Sequence, residues 1–292
     1  MTIPGSTHGN SHGNSHGNSH GNSHGNSHGN SAAPSGPGAG AVTGSTLPLA
    51  SPQGFQPLSP EAYDAADIHP DLWALAKLPD VLKALGPLGK FKVASWPKNQ
   101  SVADIAIDLA RALNGRPAAI GLYGAEIEAQ SGSFVHAFHI VLSLTPQRHP
   151  ATYRLISMAV QVAGIIGMQR KLEQMRPRPA QVWPGILPMI PTPAHPSYPS
   201  NHATQATCVA ELLAAVLSQS DPRVPYLRDL AHRIGTNREL AGVHFASDTA
   251  AGEDLGMQIA QALASVSLKG WSDEVRRCKR ELGSVTAAGG KA

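Results

Sequence analysis

Residues 151–174 read ATYRLISMAVQVAGIIGMQRKLEQ and contain no proline, while Pro177 and Pro179 follow directly. Alanine, leucine, methionine, glutamine and lysine favour helix. The two prolines lack the donor that a further turn would need. This stretch predicts the longest helix of the chain. Downstream, residues 175–199 hold eight prolines and read as a long loop, a feature that is uncommon inside a compact domain and usually either functional or disordered. Residues 200–218, 222–236 and 245–266 continue the helical pattern. Upstream, 70–77 and 79–85 predict short helices. Ser101 is placed to cap an amphipathic run in which Val102, Ile105, Ala106, Leu109, Ala112 and Leu113 recur at helical spacing, with Asn114 and Gly115 ending it. Residues 118–130 and 134–144 follow as further helices. No stretch alternates apolar and polar residues as a half-buried strand would, so the fold class is all-α.

The chain has 292 residues and a formal net charge of +3, and all 43 charged residues fall after residue 60. The first 60 are rich in Gly, Pro and Ser and cannot offset their ordering entropy by burial. They predict a disordered tail and linker (1–60) ahead of one folded domain (61–292). Within the tail HGNS repeats with period four, placing His8, His12, His16, His20, His24 and His28 in register. Such a tract reads as a tag or expanded repeat, with weak Ni²⁺ or Zn²⁺ chelation as the alternative. It has neither the basic nor the apolar region of a signal peptide. A soluble, cytoplasmic protein is expected, though a native export signal would be hidden if the repeat is an addition.

The charge excess is too small to argue for nucleic-acid binding. The longest apolar runs, 155–168 and 206–217, are shorter than a membrane span and carry polar residues, which predicts no transmembrane segment. Cys208 and Cys278 form neither a disulfide framework nor a zinc site. His136 and His139, with Glu126 or Glu128 nearby, lack a matched third ligand, so no metal is expected.

Three segments concentrate cations and imidazoles: KLEQMRPRP at 171–179, HPSYPSNHATQ at 195–205 and NRELAGVHFASD at 237–248. Singly they have ordinary readings. Ser200 suits a helix N-cap. His244 and Asp248, four apart, suit a surface helix pair. Lys171 and Arg178 suit solvated charges. Together they supply three fixed cations, two histidines, a carboxylate and a helix N-terminus, the parts that hold a tetrahedral oxyanion and act on it.

In this arrangement the sequence resembles the superfamily of type 2 phosphatidic acid phosphatases and vanadium-dependent haloperoxidases. Its signature is Lys-x6-Arg-Pro, then Pro-Ser-Gly-His, then Ser-Arg-x5-His-x3-Asp. Lys171, Arg178 and Pro179 match the first block. Pro199, Ser200 and His202 match the second, with Asn201 in place of Gly. Arg238, His244 and Asp248 match the third, with Asn237 in place of Ser. The resemblance implies a helical bundle with its site between helices. It implies His244 as nucleophile and His202 as acid–base group, with Asp248 orienting His244. It further implies Lys171, Arg178, Arg238, Ser200 and the Asn201 amide as anion binders. A soluble bacterial acid-phosphatase-like enzyme is the first expectation, acting on a small phosphorylated substrate without a cofactor and pairing into a homo-oligomer. A haloperoxidase holding vanadate in the same cage is the alternative, and His195, seven residues before His202, resembles its bromoperoxidase form. A non-catalytic anion binder is the third, resting on Asn201, whose side chain would crowd the pocket or donate to the anion. Arg238 and His244 are six apart, so they converge only if the helix ends between them, and Gly242 suits such a break.

Overall fold

Helix α6 (Pro150–Gln174) is the axis of the fold, and it is buried nearly all round. Pro150 starts it, where a missing N–H costs nothing. Met175 ends it in the left-handed conformation, one turn beyond Lys171. Around it pack α1 (Pro70–Leu85), α8 (Asn201–Leu217), α10 (Ala246–Ser265) and α11 (Lys269–Ala287). On the far side of α8 lies α9 (Arg223–Leu240), which α4 (Arg116–Gly132) and α5 (Val135–Val141) cover. Two short helices, α2 (Val102–Asp108) and α3 (Ala110–Asn114), precede α4. The loop after α6 carries one turn of helix, α7 (Pro179–Val182). This computed structural model describes residues 68–287, and the expected disordered tail lies outside them. No strand occurs among the described residues, so the all-α expectation holds.

Glycines decide how closely α8 and α10 approach. A Cβ on Gly252 would lie 2.5 Å from the Ser200 carbonyl oxygen, and one on Gly256 would lie 2.5 Å from that of Thr204. The two backbones are therefore nearly in contact. The seam brings the start of α8 against the start of α10, where the Ser200 amide donates to the Asp248 carbonyl at 2.9 Å.

Several boundaries differ from those expected. The two short helices at 70–85 are one, with Pro79 inside it. The run after Ser101 breaks at Leu109, where ψ is 7°, and the chain passes through Gly115 in helical conformation straight into α4. Helix α11 was not anticipated. Its buried stripe is thin (Trp271, Cys278 and Leu282, with Glu274) in an otherwise charged segment.

The expectation of no transmembrane segment does not stand. The stretch Pro150–Val182 is long and apolar enough to cross a membrane by length and composition. The run 155–168 left out the flanking residues of the same helix, so it understated the length. In the fold, 67% of its most apolar window is buried.

Candidate active site

The three signature segments meet where the end of α6, the start of α8, the end of α9 and the start of α10 converge. Helix α9 ends at Leu240, Gly242 turns the chain at φ 74°, and α10 begins at Ala246. Arg238 and His244 thus belong to different elements, and the azimuthal gap between them disappears.

His244 is buried. Its Nδ1 lies 2.9 Å from Asp248 Oδ2 and its Nε2 lies 3.0 Å from Arg178 Nη1. A carboxylate can only accept, so Nδ1 carries the proton and Nε2 keeps its lone pair. Burial and the nearby Arg178 and Lys171 cations hold the His244 proton affinity well below the ordinary histidine value. The imidazole is therefore neutral. Asp248 is fully buried, and the same Oδ2 also accepts from the Phe245 amide at 3.0 Å and from the Ser197 hydroxyl.

Three buried cations belong to this region, and one of them, Arg178, lies against Nε2. Lys171 Nζ donates to the carbonyls of Pro196 at 2.9 Å and Ser197 at 2.8 Å. Arg178 donates to the Val243 and His195 carbonyls. Arg238 Nη2 donates to the Ile127 carbonyl at 2.7 Å, while its Nε and Nη1 are buried without a partner. Among the described residues none of the three pairs with a carboxylate. Burial pulls the pKa of Arg178 and Arg238 down to about 10 and that of Lys171 well below its usual value. Buried cations held only by neutral acceptors are costly unless an anion completes them.

His202 stands near this cage, with its Nε2 3.1 Å from the Gln130 carbonyl. Burial and the Arg238 cation lower its pKa to about 3. Ser200 caps α8, its hydroxyl accepting from the Ala203 amide at 3.4 Å. The amides of Asn201 and His202 open the helix, where no intrahelical acceptor exists. The Asn201 side chain corrects its expectation. It does not turn into the cage but lies in the groove between α6 and α8, donating to the Gly164 carbonyl at 3.4 Å. Only a glycine at position 167 admits it, because a Cβ there would meet Asn201 Oδ1 at 2.1 Å. The anion-binder reading loses its premise with that placement.

His195 Nδ1 lies 3.0 Å from Arg178 Nη2 and lines a cavity of about 450 Å³ together with Arg178, Gln181 and Pro193. His136 and His139 form no ligand set, since no group of three metal-binding side chains occurs among the described residues. His139 instead stacks on Tyr153 at 4.0 Å. Cys208 is buried, and burial pushes its thiol pKa up, as suits an inert core residue. Trp183 covers a small cluster of Leu109, Ala112, Ile186 and Phe245.

Some contacts had not been foreseen. Gln130 accepts from Arg238 through its side chain and from His202 through its carbonyl. Ser197 and Arg176 grip Asp248. Arg176 was visible within RPRP, but its neighbour Arg178 carried the motif match.

Residues 134–271 match the family model described as the PAP2 superfamily. Among solved structures the chain is similar to a transmembrane PAP2 type phosphatidylglycerolphosphate phosphatase from Bacillus subtilis. The identity is 18% and the TM-score 0.44, over 71% of this chain and 98% of that one. It is also similar to a bacterial vanadium-dependent iodoperoxidase at 19% identity and TM-score 0.37, over 75% of this chain and 54% of that one. No curated protein matches it. PAP2 proteins are phosphatases or haloperoxidases, so an enzyme of one of these two kinds is supported. The similarity to the PAP2 superfamily thus covers residues 134–271, just under half of the chain.

Proposed function

We propose that the chain is a metal-independent phosphoric monoester hydrolase acting through a phosphohistidine at His244. The observation that carries this reading is a neutral, carboxylate-oriented imidazole with Arg178 at its lone pair, in a region where Lys171, Arg178 and Arg238 are buried without carboxylate partners among the described residues. The cations and the first amides of α8 hold the phosphoryl oxygens, and the arginines can do so bidentately. His244 Nε2 attacks phosphorus and the bond to the leaving oxygen breaks. Asp248 stabilises the positive charge that develops on the ring. His202 gives a proton to the leaving oxygen, then takes one from the water that attacks phosphohistidine. Inorganic phosphate leaves and His244 is regenerated. With Nε2 donating to Gln130, the nitrogen left for this exchange is Nδ1. The bound phosphoryl group offsets the cations that depress the His202 proton affinity, so protonation accompanies substrate binding.

His195 favours a second reading, a haloperoxidase, because it bonds an anion-holding arginine at the edge of a cavity. The same cage suits vanadate, which when bound would supply the activation of peroxide for halide oxidation. In that case Lys171, Arg178 and Arg238 would hold its oxygens, and His195 would orient Arg178.

Parallel assays on one sample separate the two. Aryl phosphate hydrolysis in EDTA that orthovanadate inhibits is the expected result. Bromination of a dye that depends on vanadate and peroxide, without hydrolysis, would replace the first reading by the second.

Stability should carry the mark of the depressed histidines. Below the unfolded-state value of roughly 6.5, the unfolded chain takes up protons on His202 and His244 that the fold refuses. For His202 the refusal extends to about pH 3. Stability therefore rises with pH across that window and is lost as pH falls from 6.5. Calorimetry is expected to show Tm falling between pH 6.5 and 4, and falling less with saturating phosphate. A Tm that stays level on acidification would contradict the neutral, buried state of both rings.

A further inference from the structure

We propose that Arg176 is a positioning residue for the reaction at His244, holding Asp248 from the side opposite the imidazole, and that Asp108 of α2 in turn holds Arg176. The proposal rests on His244 being the reacting group.

Arg176 is buried and all its contacts are directed. Nη1 donates to Asp248 Oδ1 at 2.8 Å and to the Ser247 hydroxyl at 2.7 Å. Nη2 donates to Asp108 Oδ2 at 2.8 Å and to Gln100 Oε1 at 3.0 Å. The Phe245 ring lies 3.8 Å from the guanidinium carbon, and the Trp96 ring lies 5.4 Å away. The plane of the guanidinium is thus set by ring contact and its two arms by two carboxylates. Asp108 is itself fixed, because its Oδ1 accepts the Ser247 amide at 2.8 Å and its Oδ2 the Ser247 hydroxyl.

The Asp248 carboxylate is divided between two tasks. Oδ2 serves His244, Ser197 and the Phe245 amide, and Oδ1 serves Arg176. Turning the carboxylate about its own axis would break both sets at once. Arg176 therefore fixes the direction in which Oδ2 faces the imidazole, and through it where Nε2 points. It also compensates a fully buried carboxylate that a neutral His244 leaves uncompensated. Lys171, Arg178 and Arg238, by contrast, have no carboxylate partner among the described residues, and the proposed mechanism assigns them to the anion. Arg176 is spent on orientation and the other three on binding. Asp108 lies outside the residues that match the family model, so this support comes from the chain's own N-terminal helices.

The prediction is a split between turnover and binding. Arg176→Gln is expected to lower kcat for aryl phosphate hydrolysis about 100-fold, the scale of a misplaced reacting group. Orthovanadate affinity, measured by calorimetry, should stay unchanged. Asp108→Asn should lower kcat by a smaller factor, and Arg176→Lys should recover part of the loss. A proton NMR readout does not depend on turnover. The low-field imidazole N–H resonance that disappears in His244→Ala should be lost or shifted in Arg176→Gln. If Arg176→Gln fails to fold, Arg176→Gln with Asp108→Asn removes one charge of each sign together and is read in the same way. Parallel loss of kcat and vanadate affinity, or an unmoved low-field resonance, would overturn the proposal. A wild-type protein that hydrolyses no phosphate would sink the phosphatase reading, while the NMR comparison would still decide the role of Arg176.

Discussion

His244→Ala is expected to abolish aryl phosphate hydrolysis, with a fall in kcat on the order of 10⁴-fold or more, the scale seen when a covalent nucleophile is removed. Orthovanadate affinity should fall much less. The reason lies in the division of labour within the cage. Lys171, Arg178 and Arg238 are held by carbonyls of Pro196, Ser197, Val243, His195 and Ile127, none of which moves when one imidazole is removed. On the proposed mechanism anion binding would draw mainly on these cations and on the start of α8, and bond formation on Nε2 alone. Asp248 would lose one of its partners but keep Arg176, Ser197 and the Phe245 amide, so the site should stay assembled. Stopped-time assays on purified protein, with calorimetric titration of vanadate, check both halves. Hydrolysis within tenfold of wild type would show that phosphorus is attacked by water directly and that His244 only orients.

The second large effect is on stability. Gly252→Ala is expected to lower Tm by roughly 5 °C, corresponding to an overpacking cost of about 1–3 kcal/mol. The added methyl would lie 2.5 Å from the Ser200 carbonyl oxygen, 2.9 Å from the Ala203 Cβ and 3.2 Å from the Thr204 amide. Two of these are backbone atoms of a capped helix and cannot step aside, so α8 and α10 must separate. The cost reaches the chemistry, because that seam sets Ser200 against Asp248. Turnover should fall along with Tm, even though Gly252 touches no reacting group. Gly270→Ala is the control, since nothing lies within 4 Å of a Cβ there, and its Tm should not drop. Equal Tm values for the two variants would show that the seam is loose in solution.

Helices were legible because their signals are local. Ser101 and Ser200 as caps, and Pro177 and Pro179 after the longest run, each act within a turn of their own position. The signature residues were legible through their spacing in three blocks, whose segments the fold brings to one end of the bundle. Helix α11 was less legible, since only a thin stripe of it faces the core.

Tertiary structure decided the rest. Whether Asn201 entered the cage depended on a glycine at 167 in another helix, which leaves room for it beside the Gly164 carbonyl. The partner of His202 is a carbonyl 72 residues away, and the Arg176–Asp108 pair joins residues 68 apart. Local periodicity and motif spacing record how a residue relates to its own turn and to a shared chemical task. They do not record which distant backbone carbonyl or carboxylate a buried side chain will meet. That pairing follows from how closely the helices pack, and here glycines at the α8–α10 seam allow the backbones to touch.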